Sequence, residues 1–133
     1  MKITAIETFV VDAGWRPWQY VAVRTDEGIT GYGEMSDGRN PYGIFGAVTD
    51  FFSQIFKGQD PLAVEKRYWD MYRLARQSTG GIAAKAIAGI ELALWDIKGK
   101  ALGVPVYALF WGTDPAKPAG LLVTLRHLAC SST

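Results

Sequence analysis

The chain has 133 residues with 14 basic and 13 acidic side chains, so its formal net charge is only +1. That length suits one small domain, and nearly half the residues are apolar, enough for a core. The balanced charge argues against nucleic acid or a membrane surface as partner, and no segment reaches the roughly 18 continuous apolar residues of a membrane span. The one cysteine, Cys130, has no internal disulfide partner, and "MKITAIETFVV" lacks the apolar core of a signal peptide. A cytoplasmic setting is the expectation.

In chain order, residues 2 to 11 are rich in Ile, Thr, Val and Phe and predict a strand. Gly14 and Pro17 break it within "DAGWRPWQ" (12–19). "YVAVRT" (20–25) alternates again, with Val21 and Val23 on one face and Ala22 and Arg24 on the other. "DEG" (26–28) is a hairpin signal in which Gly28 suits a positive φ. "ITGYGEM" (29–35) returns as a third strand, and Gly31 and Gly33 inside it imply that something packs closely on that face. "SDGRNPYG" (36–43) is a loop by composition.

Three helices are expected next. The first runs from about Ile44, with Val48, Phe51, Phe52 and Ile55 at helical spacing, and stops at Lys57-Gly58. Asp60-Pro61 starts the second, with Val64, Tyr68, Met71, Tyr72 and Ala75 on one side. The third spans about Ile82 to Leu102. Ile87, Ile90, Leu94, Ile97 and Ala101 form its apolar stripe, and Ala83, Ala86, Gly89 and Ala93 offer small positions for helix contact. Gly103 ends it, Val104-Pro105 prevents continuation, and "VYALF" makes a final short turn. Three strands followed by three helices define an α+β domain: an antiparallel meander followed by a three-helix bundle.

Chemistry is sparse. The acids are scattered, and HExxH, CxxC and EF-hand patterns are absent. "GYGEM" lacks the full glycine-rich phosphate motif. The single histidine, His127, lies in the tail, away from any Ser-His-Asp pattern. No catalytic residue and no metal ligand is assigned. Glu34 is expected to be an edge or hydrogen-bonded acid, and Glu91, Asp96, Lys98 and Lys100 to decorate the third helix and cap neighbouring backbone, with Asp96 and Lys100 as an i,i+4 pair. The candidate recognition residues are Trp15, Arg16 and Trp18 in the first loop, with Arg39, Asn40 and Tyr42 in the second. Aromatics and Arg on loops often mark binding, while the alternative is that they fold back over the sheet. In an up-down-up meander both loops leave the same end of the sheet, so a shared rim is expected.

"MKITAIETF", "VRTDEGITGYGE" and "KAIAGIELALWDIKGKALGVPVYALF" together resemble the N-terminal capping domain of the enolase superfamily. The likeness is nearest to the mandelate racemase and muconate lactonizing enzyme group, and within it to sugar-acid dehydratase-type members. It covers about residues 1 to 110. It implies a domain that caps a C-terminal (β/α) barrel, in which acidic residues bind Mg²⁺ and Lys or His bases remove a proton α to a carboxylate. It further implies that the two loops close over a sugar-acid substrate and tune specificity, which carries over to Trp15, Arg16, Trp18, Arg39, Asn40 and Tyr42. The ligands and bases of such a barrel have no counterpart here. By this resemblance the chain alone is inactive, binds no cofactor itself, and lacks its barrel partner. Its barrel-facing surface would be open to self-association. The rival expectation is a stand-alone ligand-binding or assembly module that uses the aromatic loop edge.

The likeness stops after Phe110. "WGTDPAKPAGLLVTLRHLACSST" is unlike the family, yet with permitted synonymous codons Trp111 through Leu125 re-read one nucleotide later as "GGPIRQSLRVYWSH". That string is similar to what the family carries there. Residues 111–133 are therefore expected to be a frameshifted tail standing where the barrel would begin.

Overall fold

The computed structural model describes residues 1–36, 38, 42–78 and 80–111. Three antiparallel strands come first, β1 (Ile3–Asp12), β2 (Pro17–Thr25) and β3 (Thr30–Glu34), in sheet order β1-β2-β3. β2 is central, pairing Val21 with Thr8 on one side and with Gly33 on the other. The register slips between Ile3 and Ala5, which lets Ile3 and Ile6 both join the inner face. The β2–β3 hairpin turns through Asp26–Gly28, with Gly28 at φ 82° as expected.

The helices are α1 (Tyr42–Gly46), a π-wound stretch (Ala47–Phe52) that leads into α2 (Ser53–Phe56), then α3 (Val64–Leu74), α4 (Gly81–Leu102) and α5 (Val106–Trp111). α4 is the keystone. Its buried stripe of Ile87, Ile90, Leu94 and Ile97 lies against β2 and β3 and meets Val21, Val23, Phe52 and Met71 in one core. Each fully buried aliphatic side chain there contributes about 1.5–3 kcal/mol. α4 ends as the sequence requires: Gly103 adopts the left-handed conformation, φ 68°. The Val104 N–H returns to the Gly99 carbonyl (3.0 Å) and the Gly103 N–H to that of Lys100 (3.3 Å).

Two of the small positions of α4 expected to serve helix contact, Gly89 and Ala93, admit a strand instead. A Cβ on Gly33 would sit 1.9 Å from the Gly89 carbonyl oxygen, and one on Gly31 would sit 2.0 Å from that of Ala93. Strand and helix backbones therefore touch, and the glycines expected to mark a close approach do so. Asp96 and Lys100 fasten the same junction. They pair at 2.6 Å, while Asp96 also accepts the Tyr32 N–H (2.9 Å) and Lys100 donates to the Thr30 carbonyl (2.7 Å). These charges cap neighbouring backbone, as expected of them, and in doing so bind helix to sheet edge.

Other boundaries and faces depart from the sequence expectations, each for a physical reason. The first helix starts at Tyr42, two residues before Ile44. An α-helix overshoots one turn slightly in four residues; the wide π turn absorbs the excess, so Ile44, Val48, Phe52 and Phe56 stay in one buried line. Phe51 is thereby turned outward, contrary to its expected core role. The second helix does not start at Asp60-Pro61. Asp60 Oδ1 instead accepts the Leu62 N–H (2.9 Å), holding a turn, and α3 begins at Val64. Val64, Met71 and Ala75 are buried as expected, but Tyr72 is exposed, and so is Ala101 on α4. The Lys57–Gln59 segment, with Gly58 at φ 79°, turns back along β1: the Gly58 N–H bonds the Ile3 carbonyl (2.7 Å) and the Ile3 N–H bonds that of Gln59 (2.9 Å). The proposed frameshifted tail lies, apart from the backbone of Trp111, outside the described residues.

Candidate functional site

The β1–β2 connection is tight. The Gly14 N–H bonds Asp12 Oδ1 at 2.8 Å, Gly14 takes φ 82°, and the Ala13 N–H reaches the Arg16 carbonyl at 3.3 Å. This turn projects Trp15 into solvent, 68% exposed. Arg16 follows, with its guanidinium carbon 4.6 Å from the Trp15 ring centroid and 5.9 Å from that of Trp18. A planar cation between two indole faces is held by quadrupole attraction, worth about 0.5–1 kcal/mol at a wet site. Arg16 Nε and Trp18 Nε1 are buried without a hydrogen-bond partner. Both are donors, so the cluster presents two unused N–H groups, each costly to leave so.

The root of the second loop is bound to the same end of the sheet. Gln19, fully buried on β2, accepts the Met35 N–H at its carbonyl (2.9 Å). Its own N–H donates to Ser36 Oγ (3.1 Å), and its side-chain Nε2 meets the Gly38 carbonyl at 3.5 Å. The shared edge expected from topology is thus realised at its roots. Gln19 was not singled out from sequence, although a glutamine in the inward register of Val21 and Val23 is a usable signal: a buried amide must find partners.

Of the six sequence candidates, Trp15, Arg16 and Trp18 come together. Trp15 stands in solvent, whereas Trp18 is half-buried and leans on Tyr20 (6.4 Å), so folding back over the sheet applies to Trp18 and not to Trp15. Tyr42 opens α1 and is 79% exposed. Arg39 and Asn40 lie outside the described residues. From Trp18 a ring ladder continues over the outer face of the sheet, with Tyr20 stacked on Phe9 (5.5 Å) and Phe9 edge-on to Tyr32 (6.3 Å). These rings were also missed, because alternation alone leaves the open face of a sheet unmarked. Burial, and then the nearby Glu34 carboxylate, push the Tyr20 phenol above its ordinary range. Farther along the same face, the Arg24 hydrogen bond (3.0 Å) holds the Glu7 carboxyl below the usual carboxylate range. Glu34 is an exposed edge acid, and Glu91 accepts a long hydrogen bond from Trp95 Nε1 (3.4 Å).

Among the described residues, no three acidic, His or Cys side chains converge as metal ligands, and no helix is long and apolar enough to cross a membrane. The donor set of the described residues does not suit Mg²⁺.

The site thus sits on a three-stranded meander with a glycine-lined seam under a long helix, with two loops tied at one end. Residues 5–110 match the family of the mandelate racemase / muconate lactonizing enzyme N-terminal domain, and the chain belongs to that family. It is 43% identical over 112 residues to a D-galactonate dehydratase of Variovorax paradoxus, covering 84% of this chain and 28% of that protein. In structure it resembles the 3,6-anhydro-D-galactonate cycloisomerase of Zobellia galactanivorans (TM-score 0.77, 33% identity, 84% of this chain and 32% of the other). It also resembles an enolase from Pantoea ananatis with bound D-gluconate and Mg (TM-score 0.75, 30% identity, 81% and 26%). The chain thus spans little more than a quarter of the length of the dehydratase it matches.

Proposed function

We propose that residues 1–110 act as the specificity cap of an enzyme that removes a proton α to a carboxylate, with a sugar acid as substrate and a Mg²⁺-bearing barrel as the catalytic partner. The supporting observation is the loop edge itself: two loops are rooted at one end of the sheet, and one carries an indole–guanidinium cluster with two unpartnered buried donors. Hydroxyls and carboxylates of a sugar acid are acceptors of the kind those donors lack. Arg16 would read an anionic or hydroxyl oxygen, Trp15 and Trp18 would cover the carbon chain, and Arg39, Asn40 and Tyr42 would complete the rim from the second loop. The relatives include a D-galactonate dehydratase and an enolase holding D-gluconate, which favours an aldonate-like ligand. In this reading the setting is the cytoplasm, and the loop edge, bare without a barrel, is a surface for self-association.

The test joins residues 1–110 to the barrel of the Variovorax paradoxus dehydratase and assays a panel of sugar acids with Mg²⁺. Turnover by the chimera, none by the chain alone, and a KM raised roughly ten-fold by Arg16→Gln are expected. Turnover by the purified chain alone, or a chimera indifferent to Arg16 and Trp15, would overturn the proposal. A sugar acid that stabilises the isolated chain, with the effect lost in Trp15→Ala, would instead favour the stand-alone binding module. We also propose that residues after Phe110 are read out of frame; DNA whose adjacent frame carries no barrel-like continuation would overturn that.

A further inference from the structure

At the opposite end of the sheet from the loop edge, where Gln59 pairs with the start of β1, lies an open depression of about 520 Å³ between α2 and α3. Its lining holds Lys66, Arg67 and Arg73 against a single acid, Asp70. Asp70 is already shared, at 3.1 Å from Lys66 and 3.4 Å from Arg67. Three cations against one carboxylate leave two positive charges unbalanced within the lining.

Arg67 is the unusual member. It occupies a helix face that otherwise carries Val64 and Met71 into the core, and only 6% of its side chain is exposed. Nη1 donates to Gln59 Oε1 at 2.9 Å, while Nε has no partner. Burying a guanidinium with an unfilled Nε donor is expensive, and an oxyanion is the group whose geometry matches its planar fork. Lys66 and Arg73 stand at the solvent side of the same depression, as a rim that attracts and holds an anion would.

We propose that this depression binds a small free oxyanion carrying two negative charges, a phosphate group or a dicarboxylate, with Arg67 as the anchor and Lys66 and Arg73 as the rim. The site lies at the far end of the sheet from Trp15–Trp18 and does not rest on the capping reading. The full 133-residue chain is titrated with inorganic phosphate, and separately with malonate, at constant ionic strength against chloride, and thermal midpoints are recorded. A midpoint rise of roughly 3 °C or more is expected once either anion exceeds its dissociation constant about ten-fold, and the arm that responds at lower concentration identifies the chemistry. Lys66→Gln and Arg73→Gln, both on exposed positions that leave the core alone, should each weaken binding about five-fold. Asp70→Asn, which removes the competing acid, should tighten it by a similar factor. A midpoint that follows ionic strength alone, or titrations identical in wild type, Arg73→Gln and Asp70→Asn, would overturn the site.

Discussion

The two faces of the sheet solve different problems with the same alternating pattern. The inner face is sealed by backbone contact: Gly31 and Gly33 carry no side chains because the carbonyls of Ala93 and Gly89 occupy that space. The outer face is built from rings, Trp18, Tyr20, Phe9 and Tyr32, that touch one another and remain partly open to water. Tolerance should therefore differ sharply between faces only one residue apart in sequence. The inner face fixes the domain, while the outer face and its loop edge can change without breaking that seal.

The sharpest way to break this contrast is Gly33→Val. Its side chain would collide with α4 backbone rather than with a flexible neighbour, and a loss on the order of 4 kcal/mol, most of a small domain's stability, is expected by denaturant unfolding. A variant that melts like wild type would mean that strand and helix are not in backbone contact. Asp96→Ala removes the acceptor shared by Lys100 and the Tyr32 N–H and should cost about 1 kcal/mol by the same measurement. No loss there would return the pair to surface decoration.

The outer face is probed by pH. The Tyr20 phenol is raised in the folded state by burial and by Glu34, so it keeps its proton longer than in the unfolded chain. Stability from this source is complete below the ordinary tyrosine pKa and is lost as pH climbs from there through the raised value. Ultraviolet titration of wild type against Tyr20→Phe should show one phenol ionising late, and the variant should lose less stability over that alkaline window. The smallest stability effect is expected at the loop edge. Trp15→Ala should leave the thermal midpoint within the shift given by about 0.5 kcal/mol, because the ring is mostly in water, while altering ligand response in the chimera. A large destabilisation would make Trp15 part of the scaffold.

Much of the architecture was legible because its signals are local. Gly28 and Gly103 announce positive φ, the Ile87–Ile97 stripe announces a buried helix face, and Gly31 and Gly33 announce a close approach. The partner of that approach was not legible: the small residues of α4 suggest another helix as readily as a strand. At the site, the loop composition pointed to Trp15, Arg16 and Trp18, but not to Gln19, whose role depends on Met35, Ser36 and Gly38 arriving beside it.

By itself the sequence determined three strands, their turns, the long core helix and its stop, because each depends on residue periodicity and on glycine or proline at fixed places. Only the tertiary structure decided that Phe51 faces water, that Asp60 holds a turn instead of capping a helix, and that Asp96 and Lys100 join α4 to the sheet edge. It alone placed a nearly buried Arg67 over a depression with surplus positive charge. Those outcomes depend on which backbone groups meet across long sequence separations, and no local propensity carries that information.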